Sequence, residues 1–196
     1  MKKKIVITGG LGYIGTELCK IYSGYSWNDQ IIVIDNRFVS ERVNQIRHWN
    51  MNFVQGDILN KELIYKYCHD ADIVHHLAGI TDVPRVKSDS NQEHDFKIKK
   101  VAEEGTQNIL DTISNKCKIV FPSTHVVYEG IDEVKKDIKE NEATKPVLSY
   151  SSSKAANETQ LKNSGKNYVI LRLGSVYGYS TDSMRIDIMP NLKTKI

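Results

Sequence analysis

The stretch KIVITGGLGYIG, residues 4–15, decides the fold. A short run of β-branched residues enters a turn carrying Gly9, Gly10, Gly12 and Gly15, and helical spacing follows from Gly12 to Gly24. An apolar strand that runs straight into such a turn and then a helix reads as the opening of a β-α-β unit. Glycines allow the tight turn and let backbone N–H groups approach a pyrophosphate, which the helix N-terminus stabilises. Asp35 closes the next apolar run, IIVID at 31–35, 20 residues beyond Gly15. Its carboxylate is placed to accept hydrogen bonds from an adenosine ribose and to repel a 2′-phosphate, which favours NAD over NADP. Arg37 is a cation within reach of a phosphate and pulls the other way.

Working outward, four more β-branched runs recur: NFVQGD (52–57), DIVHHLA (72–78), KIVFPS (118–123) and YVILRL (168–173). Between them helical spacing spans Lys61 to His69, Gln92 to Ser114 and Tyr150 to Asn163. Near-continuous apolar strands alternating with helices imply a parallel sheet covered on both faces, because parallel strands need crossover connections. The expected fold is a doubly wound α/β sheet.

Composition sets outer bounds. With 196 residues, 40% of them hydrophobic and 26% charged, the chain can bury one substantial core. A formal charge of +3, spread along the sequence, gives no basic patch for nucleic acid. Cys19, Cys68 and Cys117 are odd in number and evenly spaced, which suggests neither a disulfide framework nor a metal site and fits a reducing cytoplasm. MKKKIVITGG lacks the apolar length of a signal peptide, and no run approaches a membrane span.

Tyr150 and Lys154 stand four residues apart in KPVLSYSSSKAANETQL (145–161) and share a face if Tyr150 begins a helix. A tyrosine, with an ordinary pKa of about 10, is a poor base unless a cation stabilises its phenolate, and a lysine ammonium would do so. The same spacing also arises between ordinary surface neighbours. FPSTHVVY (121–128) places the hydroxyls of Ser123 and Thr124 at the carboxyl end of the fifth strand, the edge where open α/β sheets bind ligands. Asp57, in GDI after the third strand, suits an adenine or ribose contact and equally well a turn. His75 and His76 read as packing and edge residues rather than metal ligands, and His125 as structural or solvated, with work as an acid or base the alternative.

With TGGLGYIG, VIDN, GDI, HHLAG, EEGTQNIL, FPSTHVVY, YSSSK and LRLGSVYG in order from residue 8 to 178, the chain resembles the extended short-chain dehydrogenase/reductase family, in its nucleotide-sugar epimerase and dehydratase branch. The resemblance implies a Rossmann domain carrying NAD. The cofactor would lie against Gly9, Gly12, Tyr13, Ile14, Gly15, Asp35, Asn36, Asp57, Ile58, Leu77, Ala78, Gly79, Ser123, Tyr150 and Lys154. Thr124, Tyr150 and Lys154 would be the catalytic trio, with Tyr150 taking a proton from a sugar hydroxyl to give a keto-sugar, and Lys154 holding the ribose and lowering the tyrosine pKa. The expected partners are a nucleotide-sugar substrate and, optionally, a second copy of the chain as a homodimer.

The chain departs from the family pattern at Ala102, at Ser175 and Tyr179, and at Glu129, which is inserted into the usual YG. His125 and Val126 follow Thr124 where dehydratases of this branch carry an acidic residue, which favours an epimerase over a dehydratase. A net oxidoreductase acting on a nucleotide-sugar or other carbonyl substrate, and a non-catalytic NAD-binding module, are the alternatives. Residues 1–178 are expected to form the NAD-binding domain, and 179–196, with Pro190 suited to a helix start, the beginning of a truncated substrate lobe. An open cleft is then expected to bind NAD but turn substrate over poorly.

Overall fold

The computed structural model describes residues 2–25, 28–81, 91–132 and 136–176. Six strands, β1 (Lys4–Thr8), β2 (Gln30–Asp35), β3 (Asn52–Gln55), β4 (Ile73–His76), β5 (Lys118–Thr124) and β6 (Asn167–Leu173), form one sheet in the order β3-β2-β1-β4-β5-β6. Every pairing is parallel. The connections run through α1 (Tyr13–Tyr25), α2 (Ser40–His48), α3 (Lys61–Cys68), α4 (Gln92–Thr112) and α5 (Ser149–Asn163). The doubly wound α/β fold expected from the sequence is the one observed, and the strand order reverses between β1 and β4. At such a reversal the connections leave in opposite directions and open a crevice at the carboxyl edge.

Alternation along the strands builds two apolar clusters. Val6, Ile32, Ile34, Val74, Ile119 and Phe121 face α3, α4 and α5, which contribute Ile64, Cys68, Ile109, Leu110 and Leu161. Ile5, Ile7, Ile31 and Val33 face the other way, onto Cys19 of α1 and Val43 and Ile46 of α2. Because each strand of this interior buries both faces, it reads in sequence as a continuous apolar run. At β6 no described helix covers the second face, and Val169 and Leu171 are exposed.

Helix α2 was not anticipated. SERVNQIRH holds only two core positions, Val43 and Ile46, and Val39 before it offers no side-chain cap. Helices α3 and α4 begin conventionally: the Asn60 side chain accepts from the Leu63 N–H at 3.0 Å and the Asn91 side chain from the Glu93 N–H at 2.9 Å. The expected substrate-lobe segment, 179–196, lies outside the described residues, as do Tyr177, Gly178, Tyr179 and Pro190.

Candidate active site

The glycine turn sits at the crevice where β1 and β4 diverge. Gly9 has φ 70°, and a Cβ there would stand 2.6 Å from the Ala78 backbone nitrogen. A Cβ at Gly15 would lie 2.5 Å from the Gly9 carbonyl oxygen, so only bare backbone fits on this path into α1. Tyr13 and Ile14 form the first turn of α1, with Ile14 exposed. Leu77 and Ala78 leave β4 alongside, their N–H groups donating to the Thr8 carbonyl at 3.0 Å and the Thr8 hydroxyl at 3.3 Å, and Gly79 follows exposed.

Asp35 ends β2 beside this turn and is 6% exposed. One carboxylate oxygen accepts from the Leu11 N–H at 3.0 Å and the other from the Arg37 N–H at 3.0 Å, with Arg37 Nε 3.5 Å from the latter. A carboxylate offers about four lone-pair sites, so acceptor capacity remains. The Arg37 guanidinium therefore rests against the Asp35 carboxylate. Buried Arg42 of α2 donates to the Leu11 carbonyl from the other side and steadies the turn. Asn36 donates to Asp57 at 3.2 Å, while the other Asp57 oxygen accepts from the Leu59 N–H at 2.9 Å, so Asp57 makes its turn and lines the same edge. Ile58 is buried in the core, against Gly105.

The three expected catalytic residues gather at the carboxyl end of β5. Thr124 is its last residue, buried, and its hydroxyl accepts from the Val126 N–H at 3.3 Å, capping a 3-10 turn over His125–Tyr128. Helix α5 packs on β5 and on that turn. Tyr150 lies half-buried in the first turn of α5, and the Lys154 ammonium stands 5.9 Å from its ring centre. That ammonium also sits 4.5 Å over the Phe121 ring and donates to the Pro122 carbonyl at 2.9 Å. Burial pushes the Lys154 amine down to about 8. Below that pH a confined cation faces the phenol, as stabilising a phenolate requires.

His76 lies beneath the site, fully buried, hydrogen-bonded through Nδ1 to the Thr8 hydroxyl at 2.9 Å and through Nε2 to the Thr106 hydroxyl at 3.0 Å. Burial, with the nearby Lys154 charge, holds its pKa down to about 3. Both ring nitrogens are occupied by core hydroxyls, the packing role expected of it. His75 instead meets the Tyr22 hydroxyl at 2.7 Å. The exposed His125 ring bonds the Leu173 carbonyl at 3.2 Å. No group of three His, Cys, Asp or Glu among the described residues could hold a metal ion, and no described helix is long and apolar enough to cross a membrane.

Ser123 behaves differently from Thr124. Its hydroxyl donates to Glu158 at 2.6 Å. Glu158 is buried and receives a two-pronged contact from Arg172 of β6, Nε at 2.9 Å and Nη2 at 2.6 Å. Burial alone would raise the Glu158 carboxyl, but the bonds from Arg172 and Ser123 hold it below the ordinary range. The network pins α5 to β5 and β6. A glutamate and an arginine 14 residues apart on different elements leave no spacing signal, and sequence reasoning missed them.

The sequence matches the NAD dependent epimerase/dehydratase family over residues 5–193. It is 30% identical over 197 residues to a dTDP-D-glucose 4,6-dehydratase of Dictyostelium discoideum, covering 90% of this chain and 44% of that one. It is 31% identical over 205 residues to a CDP-paratose 2-epimerase of Salmonella typhi, covering 89% and 58%. The structure is similar to the UDP-glucose 4-epimerase from Brucella ovis in complex with NAD, with a TM-score of 0.72 and 26% identity over 92% of this chain and 54% of that one. The chain spans about half the length of the curated relatives it matches.

Proposed function

From the premise that the chain belongs to the NAD dependent epimerase/dehydratase family, we propose that it binds NAD and serves an enzyme that epimerises a nucleotide-sugar through a transient keto-sugar. The observation that carries this reading is the convergence, at one sheet edge, of a glycine turn that no Cβ fits, Asp35 beside it, and Tyr150 with the Lys154 ammonium 5.9 Å from its ring. The turn before α1 takes the pyrophosphate and Asp35 takes the adenosine ribose. NAD, when bound, supplies the hydride acceptor. Tyr150 removes the proton from the sugar hydroxyl and later returns it, and Lys154 holds the nicotinamide ribose and keeps the phenol acidic enough to act. Thr124 hydrogen-bonds the reacting sugar oxygen with the hydroxyl hydrogen that its capping contact leaves free.

His125 and Val126 after Thr124 keep the proposal with epimerisation, since neither supplies the carboxylic acid that eliminating water between neighbouring carbons calls for. The substrate lies in the class shared by the relatives, nucleoside diphosphate sugars. A cytoplasmic location belongs to the proposal and is supported by Cys19, Cys68 and Cys117, all buried thiols without a disulfide. A homodimer belongs to it as well, and sedimentation of the purified chain tests it.

The test is to incubate the purified chain with NAD and a panel of nucleotide-sugars and to resolve the products by chromatography. Interconversion of two epimers without net nicotinamide absorbance supports the proposal. Stoichiometric absorbance change supports a net oxidoreductase instead. NAD binding without conversion of any sugar by the chain, or by a longer version of it, supports a binding module.

A further inference from the structure

Helix α5 begins without a side-chain cap from its N-cap residue. Its N-cap residue is Leu148, whose side chain accepts nothing, yet this helix carries both Tyr150 and Lys154. Within the helix only the Ser151 hydroxyl turns back, accepting from the Leu148 N–H at 3.1 Å, and the stronger contacts at the entrance come from outside. Glu129 Oε1 accepts from the Val147 N–H at 2.8 Å and the Leu148 N–H at 2.7 Å, and it also takes the Ser151 hydroxyl. The segment that delivers this carboxylate is tied to the approach of α5 by backbone bonds: the Lys145 N–H donates to the Val127 carbonyl and the Gly130 N–H to the Lys145 carbonyl, each at 2.8 Å. A Cβ on Gly130 would stand 2.5 Å from that same Lys145 oxygen, so the stitch requires glycine after the glutamate. Burial would raise the Glu129 carboxyl, but the Ser151, Leu148 and Val147 donors outweigh it and hold it below its ordinary range.

We propose that Glu129 is a positioning residue that caps α5 in trans and sets Tyr150 relative to Thr124. The 3-10 turn His125–Tyr128 connects the two: the Thr124 hydroxyl caps its start, and Glu129 immediately after its end caps the helix that bears Tyr150. A negative charge at a helix start is favoured by the helix dipole as well as by the N–H groups it accepts. One short piece of chain therefore links the residue that carries the Thr124 hydroxyl to the first turn of the helix that carries Tyr150. The inference rests on the reading of Tyr150 as the proton carrier, but its geometry stands without cofactor or substrate.

The experiment uses the full chain, free of ligand, labelled for NMR on backbone amides and tyrosine rings, with the Tyr150 ring signal identified by its loss in Tyr150→Phe. Glu129→Ala is expected to raise hydrogen exchange at the Val147 and Leu148 amides about tenfold and to shift the Tyr150 ring signal, while amides of β1 to β4 keep their rates. Glu129→Gln, which keeps an accepting oxygen, is expected to recover part of both effects. Ser151→Ala, which removes one donor to Glu129 and one acceptor of the Leu148 N–H but leaves the Glu129 carboxylate in place, is expected to shift the Tyr150 signal less and in the same direction. A Tyr150 signal unmoved in Glu129→Ala would overturn the proposal, and so would an equal rise in exchange across the sheet. None of these readouts involves NAD or a sugar, so a failure of the proposed reaction would leave this test intact, and the reverse.

Discussion

At Asp35 two backbone N–H groups converge on a carboxylate that faces the crevice. Its position was legible in the sequence as the end of an apolar run 20 residues after the glycine turn; its bond to Leu11 was not, because that bond crosses from one loop to another. Asp35→Ala should cost about 1–3 kcal/mol in denaturant unfolding, since the Leu11 N–H loses its buried acceptor. It should also narrow the preference for NAD over NADP, as measured by the ratio of their dissociation constants. Asp35→Asn keeps an acceptor and loses the charge, so it should narrow the preference with the smaller loss of stability. A wild-type melting profile in Asp35→Ala would contradict this account. His76 supports a second expectation. Its folded pKa, about 3, lies below the unfolded value of about 6.5, so its contribution to stability is present above pH 6.5 and is lost as pH falls towards 3. Between pH 4 and 6 this amounts to about 1.4 kcal/mol per pH unit, the weight of one proton taken up on unfolding. Unfolding free energies of His76→Gln across that window should show a slope shallower by about that amount, and an identical slope would exclude His76 as the acid-sensitive group.

Two glycines with nearly the same backbone separate strain from space at the level of elements. Gly9 and Gly165 have φ of 70° and 66°, but a Cβ on Gly9 would strike the Leu77 and Ala78 backbone, whereas nothing lies within 4 Å of one on Gly165. Gly165→Ala should therefore cost only the left-handed penalty, about 1–2 kcal/mol. Gly9→Ala must in addition push β1 away from the exit of β4, and it should lower the melting temperature further and weaken NAD binding. Equal losses in the two variants would show that the turn tolerates a side chain. The strands and most helices were legible because a doubly buried parallel strand must be apolar throughout. Helix α2 was not, because only Val43 and Ile46 reach the core, and the one pointer was their spacing, with Glu41 in its first turn and Arg47 and His48 in its last. Glu129 registered in the sequence only as an inserted residue; its role depends on a pairing with residues 145–148 that no local pattern announces.

Across the whole molecule, the parallel sheet carries residues distant in sequence to one edge. Thr8, Asp35, His76 and Thr124 each end or nearly end a strand, and the strand order sets the glycine turn beside the exit of β4. The sequence order of the motifs was enough to expect this assembly, since right-handed crossovers leave few ways to wind alternating strands and helices. It was not enough to separate Ser123, which donates to Glu158, from Thr124, which lines the edge. An edge built for NAD should show itself in calorimetric titration of NAD and NADP into the purified 196-residue chain. NAD should saturate a single site, NADP should bind more weakly, and Tyr150→Phe should leave NAD binding nearly unchanged. Absence of NAD binding, or tighter binding of NADP, would contradict that reading of the edge.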